Sequence, residues 1–167
     1  MKQLLFVVLI GSFLFFACNG PEKTPVVNAP LHTTEGDAIK KAVDDAYRAI
    51  GFKKRQDINF TDIKKPFIPQ AHFISFSNDS LGVLTLDQFV DYYKSYIEAN
   101  NVSAFFEEEI SGTTDQFGKV AQRISSYRTF LNSADTAAQR GVNSFQLVKT
   151  PEGWRVSSII WDIETPN

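Results

Sequence analysis

The stretch "SFQLVKTPEGWRVSSIIWDI", residues 144–163, sets two apolar-rich runs on either side of Thr150-Pro151-Glu152-Gly153. Proline presets the backbone for the second position of a tight turn, and glycine supplies the freedom that ends one. The stretch therefore predicts a hairpin with extended segments over 142–149 and 154–163. Upstream, 105–113 and 119–131 are two further extended segments, rich in β-branched and aromatic residues. Four consecutive strands joined by short turns predict a bent antiparallel sheet, and such a sheet needs other elements to cover one face.

The covering elements lie before the strands. Ile39, Ala42, Val43, Ala46, Tyr47 and Ile50 form a continuous apolar stripe at helical spacing. Thr34 is placed to cap this helix, Glu35 and Asp37 sit where the helix dipole favours acids, and Gly51 ends it. A second helix has a stronger start: Thr85 with Gln88 makes a capping box, and Leu84 with Phe89 the staple around it. Its buried face is Leu86, Phe89, Val90, Tyr93, Tyr96 and Ile97, and Ala99-Asn100-Asn101 closes it. Between the helices, 61–65 reads as a short helix stopped by Pro66, 71–77 as a strand, and "SNDSLG" as the turn after it.

The chain begins with a charged Met1-Lys2-Gln3 and the almost wholly apolar 4–16, followed by Ala17-Cys18. Thirteen helical residues reach about 20 Å, short of a hydrocarbon core of about 30 Å. The layout is that of a signal peptide over 1–17. "LFFAC" resembles a bacterial lipobox, which implies lipidation of Cys18 and location in the bacterial cell envelope, facing the periplasm or the outside. Two readings compete with it: a plain signal peptide with a chance cysteine, and an uncleaved short anchor. Residues 18–33 follow as a proline-containing tether, and 34–167 as one domain.

Composition narrows the function classes. A formal charge of -2 and the absence of a basic face exclude nucleic acid as an expected partner. One cysteine and two histidines provide no zinc cluster, and no cofactor is expected. Fifteen phenylalanines point to an apolar interior.

Helix, short helix, strand, long helix and a meander ending in Trp154-Arg155-Val156 resemble the SnoaL-like families of the nuclear-transport-factor-2-like superfamily. "FGKVAQRISSYR" is similar to that family's middle strand. The resemblance implies an α+β fold, a cone-shaped curved sheet packed against N-terminal helices (a cystatin-like or SnoaL-like roll), with an apolar pocket between the layers. It fixes a location and not a reaction.

Candidate chemistry is sparse. Tyr47, Asp62, His72 and Asp162 are the weak catalytic candidates. An acid–base group in apolar surroundings has its pKa moved towards working pH, and a helix-1 tyrosine suits an oxyanion donor. Three of them have a structural alternative: Tyr47 in the core, Asp62 at a helix start, and His72 a satisfied strand residue. Tyr47, Tyr93, Ala121, Arg123, Tyr127, Trp154 and Trp161 are the candidate pocket residues. Arg123 either meets an anionic ligand or pairs across the sheet with Glu108 or Glu109. Glu107-Glu108-Glu109 reads as a solvated sheet surface. Trp154 and Trp161, an odd number of residues apart, should face opposite sides of a regular strand. Three roles follow: a membrane-anchored module binding a small hydrophobic molecule or peptide; a cofactor-independent isomerase, dehydratase or hydrolase; and an assembly module dimerising through the sheet.

Overall fold

The computed structural model describes residues 35–164 other than 78, 79 and 134. The signal peptide, Cys18, the tether and the Thr34 cap lie outside the described residues. Helix α1 spans Gly36–Ile50, strand β1 Phe67–Ser77, β2 Ser80–Thr85, helix α2 Leu86–Ala99, and β3 to β6 Phe105–Phe117, Val120–Leu131, Gln139–Thr150 and Gly153–Ile163. The fold is α+β, a six-stranded curved sheet in the order β2-β1-β6-β5-β4-β3 with two helices across one face.

α1 buries the stripe read from its spacing, Ile39, Ala42, Val43, Ala46 and Tyr47. Its opposite face carries Lys40–Asp44 and Lys41–Asp45, pairs four residues apart that suit a solvated helix surface. At the start of α2 the capping box is complete: Gln88 N donates to Thr85 Oγ1 at 3.3 Å, and Thr85 N to Gln88 Oε1 at 2.9 Å. The helix ends at Asn100, and Asn101 takes φ 50°. Two single helical turns, Arg55–Asp57 and Asp62–Lys64, form before Pro66.

Two features depart from the expected antiparallel sheet. Residues 80–85 are not merely the end of a turn: they form β2, which pairs antiparallel with β1 from His72↔Thr85 to Ser77↔Ser80. Gly82 and the polar residues before it mask this strand in the sequence. In addition, β1 runs parallel to β6, Phe73 opposite Ile159, which makes the sheet mixed. Antiparallel pairing follows from short turns, whereas this pair is joined only through α2 and the whole meander.

Two bulges reset which residues face the helices. In β6, Val156 opposes Leu147 and Ser158 opposes Gln146, leaving Ser157 extra. In β3, Glu109 opposes Tyr127 and Ser111 opposes Ser126, leaving Ile110 extra. The first bulge corrects the expectation for the tryptophans. Beyond Ser157 the alternation shifts by one, so Trp154 and Trp161 both lie on the helix-facing side.

Candidate functional site: a cavity on the inner face

The inner face of the sheet divides into two ends with different chemistry. At one end β4 presents Ala121, Arg123 and Ser125, all buried. Arg123 lies across β3: Nε donates to Glu109 Oε2 at 2.8 Å, Nη2 to Glu109 Oε1 and Nη1 to Thr114 Oγ1. The side chains of this pair are only 9% and 7% exposed. Gly112 makes room for it, since a Cβ there would come within 2.7 Å of the guanidinium. Burial alone would raise the Glu109 pKa, but the Arg123 and Ser125 hydrogen bonds and the Arg123 charge hold it below the ordinary carboxylate range.

The same network takes in Tyr47. Its hydroxyl accepts from Asn143 Nδ2 at 3.0 Å and shares a hydrogen bond of 2.8 Å with Ser125 Oγ. A consistent set of donors runs from Asn143 to Tyr47 and on to Ser125. Burial is the main reason the Tyr47 hydroxyl is pushed up to about 12.

At the other end the layers part and leave an open cavity of about 460 Å³. Its walls are mostly aromatic: Tyr47 from α1, Phe67 and Phe73 from β1, Phe89, Tyr93 and Tyr96 from α2, Phe105 from β3, Tyr127 from β4, Phe145 from β5 and Trp161 from β6. The phenylalanines pack into the wall rather than across the space, with Phe73 stacked on Phe89 at 4.0 Å and Tyr93 edge-on to Phe105 at 5.7 Å. Tyr92, Ala138, Gln139 and Ile163 line it while remaining exposed.

One charged side chain lines this cavity among the described residues: Glu107. Thr129 Oγ1, directly opposite on β4, donates to Glu107 Oε1 at 3.0 Å. Burial pushes the Glu107 carboxyl up to about 7, opposed only by that hydrogen bond. Burial also raises the pKa of Tyr93 and Tyr127, and the Glu107 charge adds to both. The reading of 107–109 as a solvated surface holds only for Glu108, which pairs with Arg128 on the exposed side. Glu107 and Glu109 face inwards because α1 packs on that side of β3. The signal available was Phe105, which shares their strand face by period two.

Of the sequence candidates, Tyr47, Tyr93, Tyr127 and Trp161 come together on the cavity wall. Ala121, Arg123 and Trp154 do not line it. Arg123 is taken by Glu109, the pairing weighed against an anionic ligand, and Trp154 Nε1 donates to Glu35 Oε2 at 2.6 Å. Asp62, His72 and Asp162 are also elsewhere. Asp62 pairs with Lys65 at 2.6 Å, His72 is exposed on the strand face opposite Phe73, and Asp162 is exposed near the end of β6. No cluster of His, Cys, Asp and Glu able to hold a metal ion occurs among the described residues.

No family model matches the chain, and no curated protein matches it. Solved structures do. A cystatin-like-fold protein of unknown function from Nostoc punctiforme superposes with a TM-score of 0.63 at 8% identity, covering 80% of this chain and 93% of that one. A candidate dehydratase of the NTF2-like family from Streptomyces avermitilis gives 0.60 at 13% identity, covering 78% and 96%. A candidate aromatic ring hydroxylase from Novosphingobium aromaticivorans gives 0.59 at 14%, covering 77% and 88%. At these identities the likeness establishes the fold, which is the NTF2-like, cystatin-like one.

Proposed function

We propose, from this fold and its aromatic cavity, that the protein is a bacterial envelope lipoprotein whose domain binds a small apolar molecule without transforming it. The observation that carries the reading is the open cavity between helices and sheet. An apolar wall with few polar groups is the usual composition of a ligand site. No acid–base pair is assembled there: the hydrogen bond found for Glu107 comes from Thr129, and the Tyr47 hydroxyl is engaged by Ser125 and Asn143. The lipobox resemblance at Cys18 supports location at a membrane, since lipidation there with two or more acyl chains would anchor stably where one does not.

A cofactor-independent isomerase, dehydratase or hydrolase is the second reading. It is favoured by Glu107, whose carboxyl at about 7 is poised for proton transfer near neutrality, and by the dehydratase candidate among the structural neighbours. Self-association through the outer sheet face is a further proposal. Val83, Ile74, Ile160, Ser144 and Ile124 form one row across it, and Val83, Ile160 and Ile124 are exposed.

Native mass spectrometry of the full chain tests the binding reading. Wild type should carry a co-purified small molecule, and Ala46→Phe, which puts a ring into the cavity from α1, should lose it while still unfolding cooperatively. A wild-type spectrum without any bound mass, or one unchanged by the substitution, refutes it. For the anchor, Cys18→Ala should abolish lipid labelling and release the protein from membranes; persistent labelling would remove Cys18 as the attachment point.

A further inference from the structure

The acids on the inner side of the domain are matched with cations, with one exception. Glu109 has Arg123, and Glu35, at the start of α1, has Lys149. Glu107 has no salt-bridge partner among the described residues, and no Lys, Arg or His lines the cavity beside it. Its Oε1 is held by Thr129, whereas Oε2 makes no hydrogen bond and is not sealed from the cavity. A partly buried carboxylate without a counter-charge is costly, and it either takes up a proton or takes a cation from outside.

The groups around it favour the second role. The hydroxyls of Tyr47 and Tyr93 are committed within the protein, Tyr47 to Ser125 and Asn143, and Tyr93 to the Ile50 carbonyl. These residues therefore offer a ligand their ring surfaces rather than their hydrogen-bonding ends. With Tyr96, Tyr127 and Trp161 they put aromatic rings around the space, and such rings attract a positive charge set over their faces.

We infer that the cavity takes an organic cation, a protonated amine or quaternary ammonium on an apolar body, its charge set against Glu107 among the tyrosine rings. This rests on the binding reading above and adds the class of ligand. The apolar body has Phe67, Phe73, Phe89 and Phe145 to lie against. Binding is linked to pH through Glu107. The titratable groups that line the cavity with it are Tyr47 from α1, Tyr92, Tyr93 and Tyr96 from α2 and Tyr127 from β4; β1, β5 and β6 contribute none to the cavity lining. Burial holds the hydroxyls of Tyr47, Tyr93 and Tyr127 neutral well above neutrality, so the charge of Glu107 sets the linkage.

The test is calorimetric titration of the full chain in non-ionic detergent, with detergent alone as the blank. Three probes share one aromatic body: 2-(1-naphthyl)ethylamine, protonated at about pH 8, neutral 2-(1-naphthyl)ethanol, and 1-naphthylacetate. The amine should bind about tenfold or more tighter than the alcohol, and the acetate weakest. Glu107→Gln keeps the size and the Thr129 hydrogen bond, and should erase the preference for the amine while leaving the alcohol's affinity within about twofold. Near pH 5, with Glu107 protonated, the wild-type preference should shrink in the same way. Equal binding of amine and alcohol, or a preference that survives Glu107→Gln, overturns the assignment of charge and leaves the cavity reading standing. Failure of all three probes to bind overturns both.

Discussion

Glu107 and Glu109 stand two residues apart on the same face of β3, the face α1 packs against, and their circumstances are opposite. Glu109 is gripped by a guanidinium through two nitrogens and stays ionised. Glu107 has one hydroxyl and a ring of aromatic side chains, and burial moves it towards the neutral form. The difference comes from β4. Arg123 reaches Glu109 across the gap left by Gly112, while the position opposite Glu107 is Thr129. One end of the inner face is thus closed by an ion pair, and the other is left open with an uncompensated acid. Within one fold, the same residue type serves stability at one end and, on our reading, recognition at the other.

The largest effect should come from breaking the closed end. Arg123→Met leaves Glu109 buried without its partner, and we expect a loss of about 3–5 kcal/mol in chemical denaturation. Arg128→Met removes the exposed Glu108 pair, whose side chains are 47% and 45% exposed, and should cost about 0–1 kcal/mol. Equal losses would mean that burial does not separate the two pairs.

A smaller effect, of opposite sign, belongs to the open end. Glu107 has its folded pKa raised, from an ordinary 4.5 to about 7. The folded state therefore holds more protons than the unfolded one between these values, and stability falls as pH rises through that window. Glu107→Gln removes the penalty and should stabilise the protein by up to about 3 kcal/mol at neutral pH and above, with the gain fading near pH 4. Glu109 has its pKa lowered, so its contribution is present above the ordinary carboxylate range and is lost as acid protonates it. A gain for Glu107→Gln that does not vary with pH would put the two glutamates in the same class.

Much of the scaffold was legible because its signals are local. The stripe from Ile39 to Ile50, the Thr85–Gln88 box and the Pro151-Glu152 turn each act within a few residues, and the structure has all three. Long-range features were hidden. Nothing in residues 67–77 announces that β1 will run parallel to β6, and Asn78-Asp79 with Gly82 disguised β2 as loop. The tryptophan parity failed for a single reason, the extra Ser157, which no alternation pattern can display. At the site, period two placed Glu107 and Glu109 on one face, but which face the helices would cover was decided by elements far away in the chain. Tyr47, Tyr93, Tyr127 and Trp161 were named before their cavity was known. Glu107 is hidden in the sequence because a run of three acids has the look of a wet surface.

The pairing of β1 with β6 reaches beyond the geometry of the sheet. β1 gains one neighbour at once, β2, and its other neighbour only when the final strand has been added. Until then the β1–β2 ribbon and the β3–β4–β5 meander are separate pieces, and a two-stranded ribbon alone is barely stable in water. Contacts so distant in sequence make for slow, late closure of the domain. The last strand is accordingly the splice that joins the two halves, and a chain cut short after β5 has both parts of the sheet and no strand to join them.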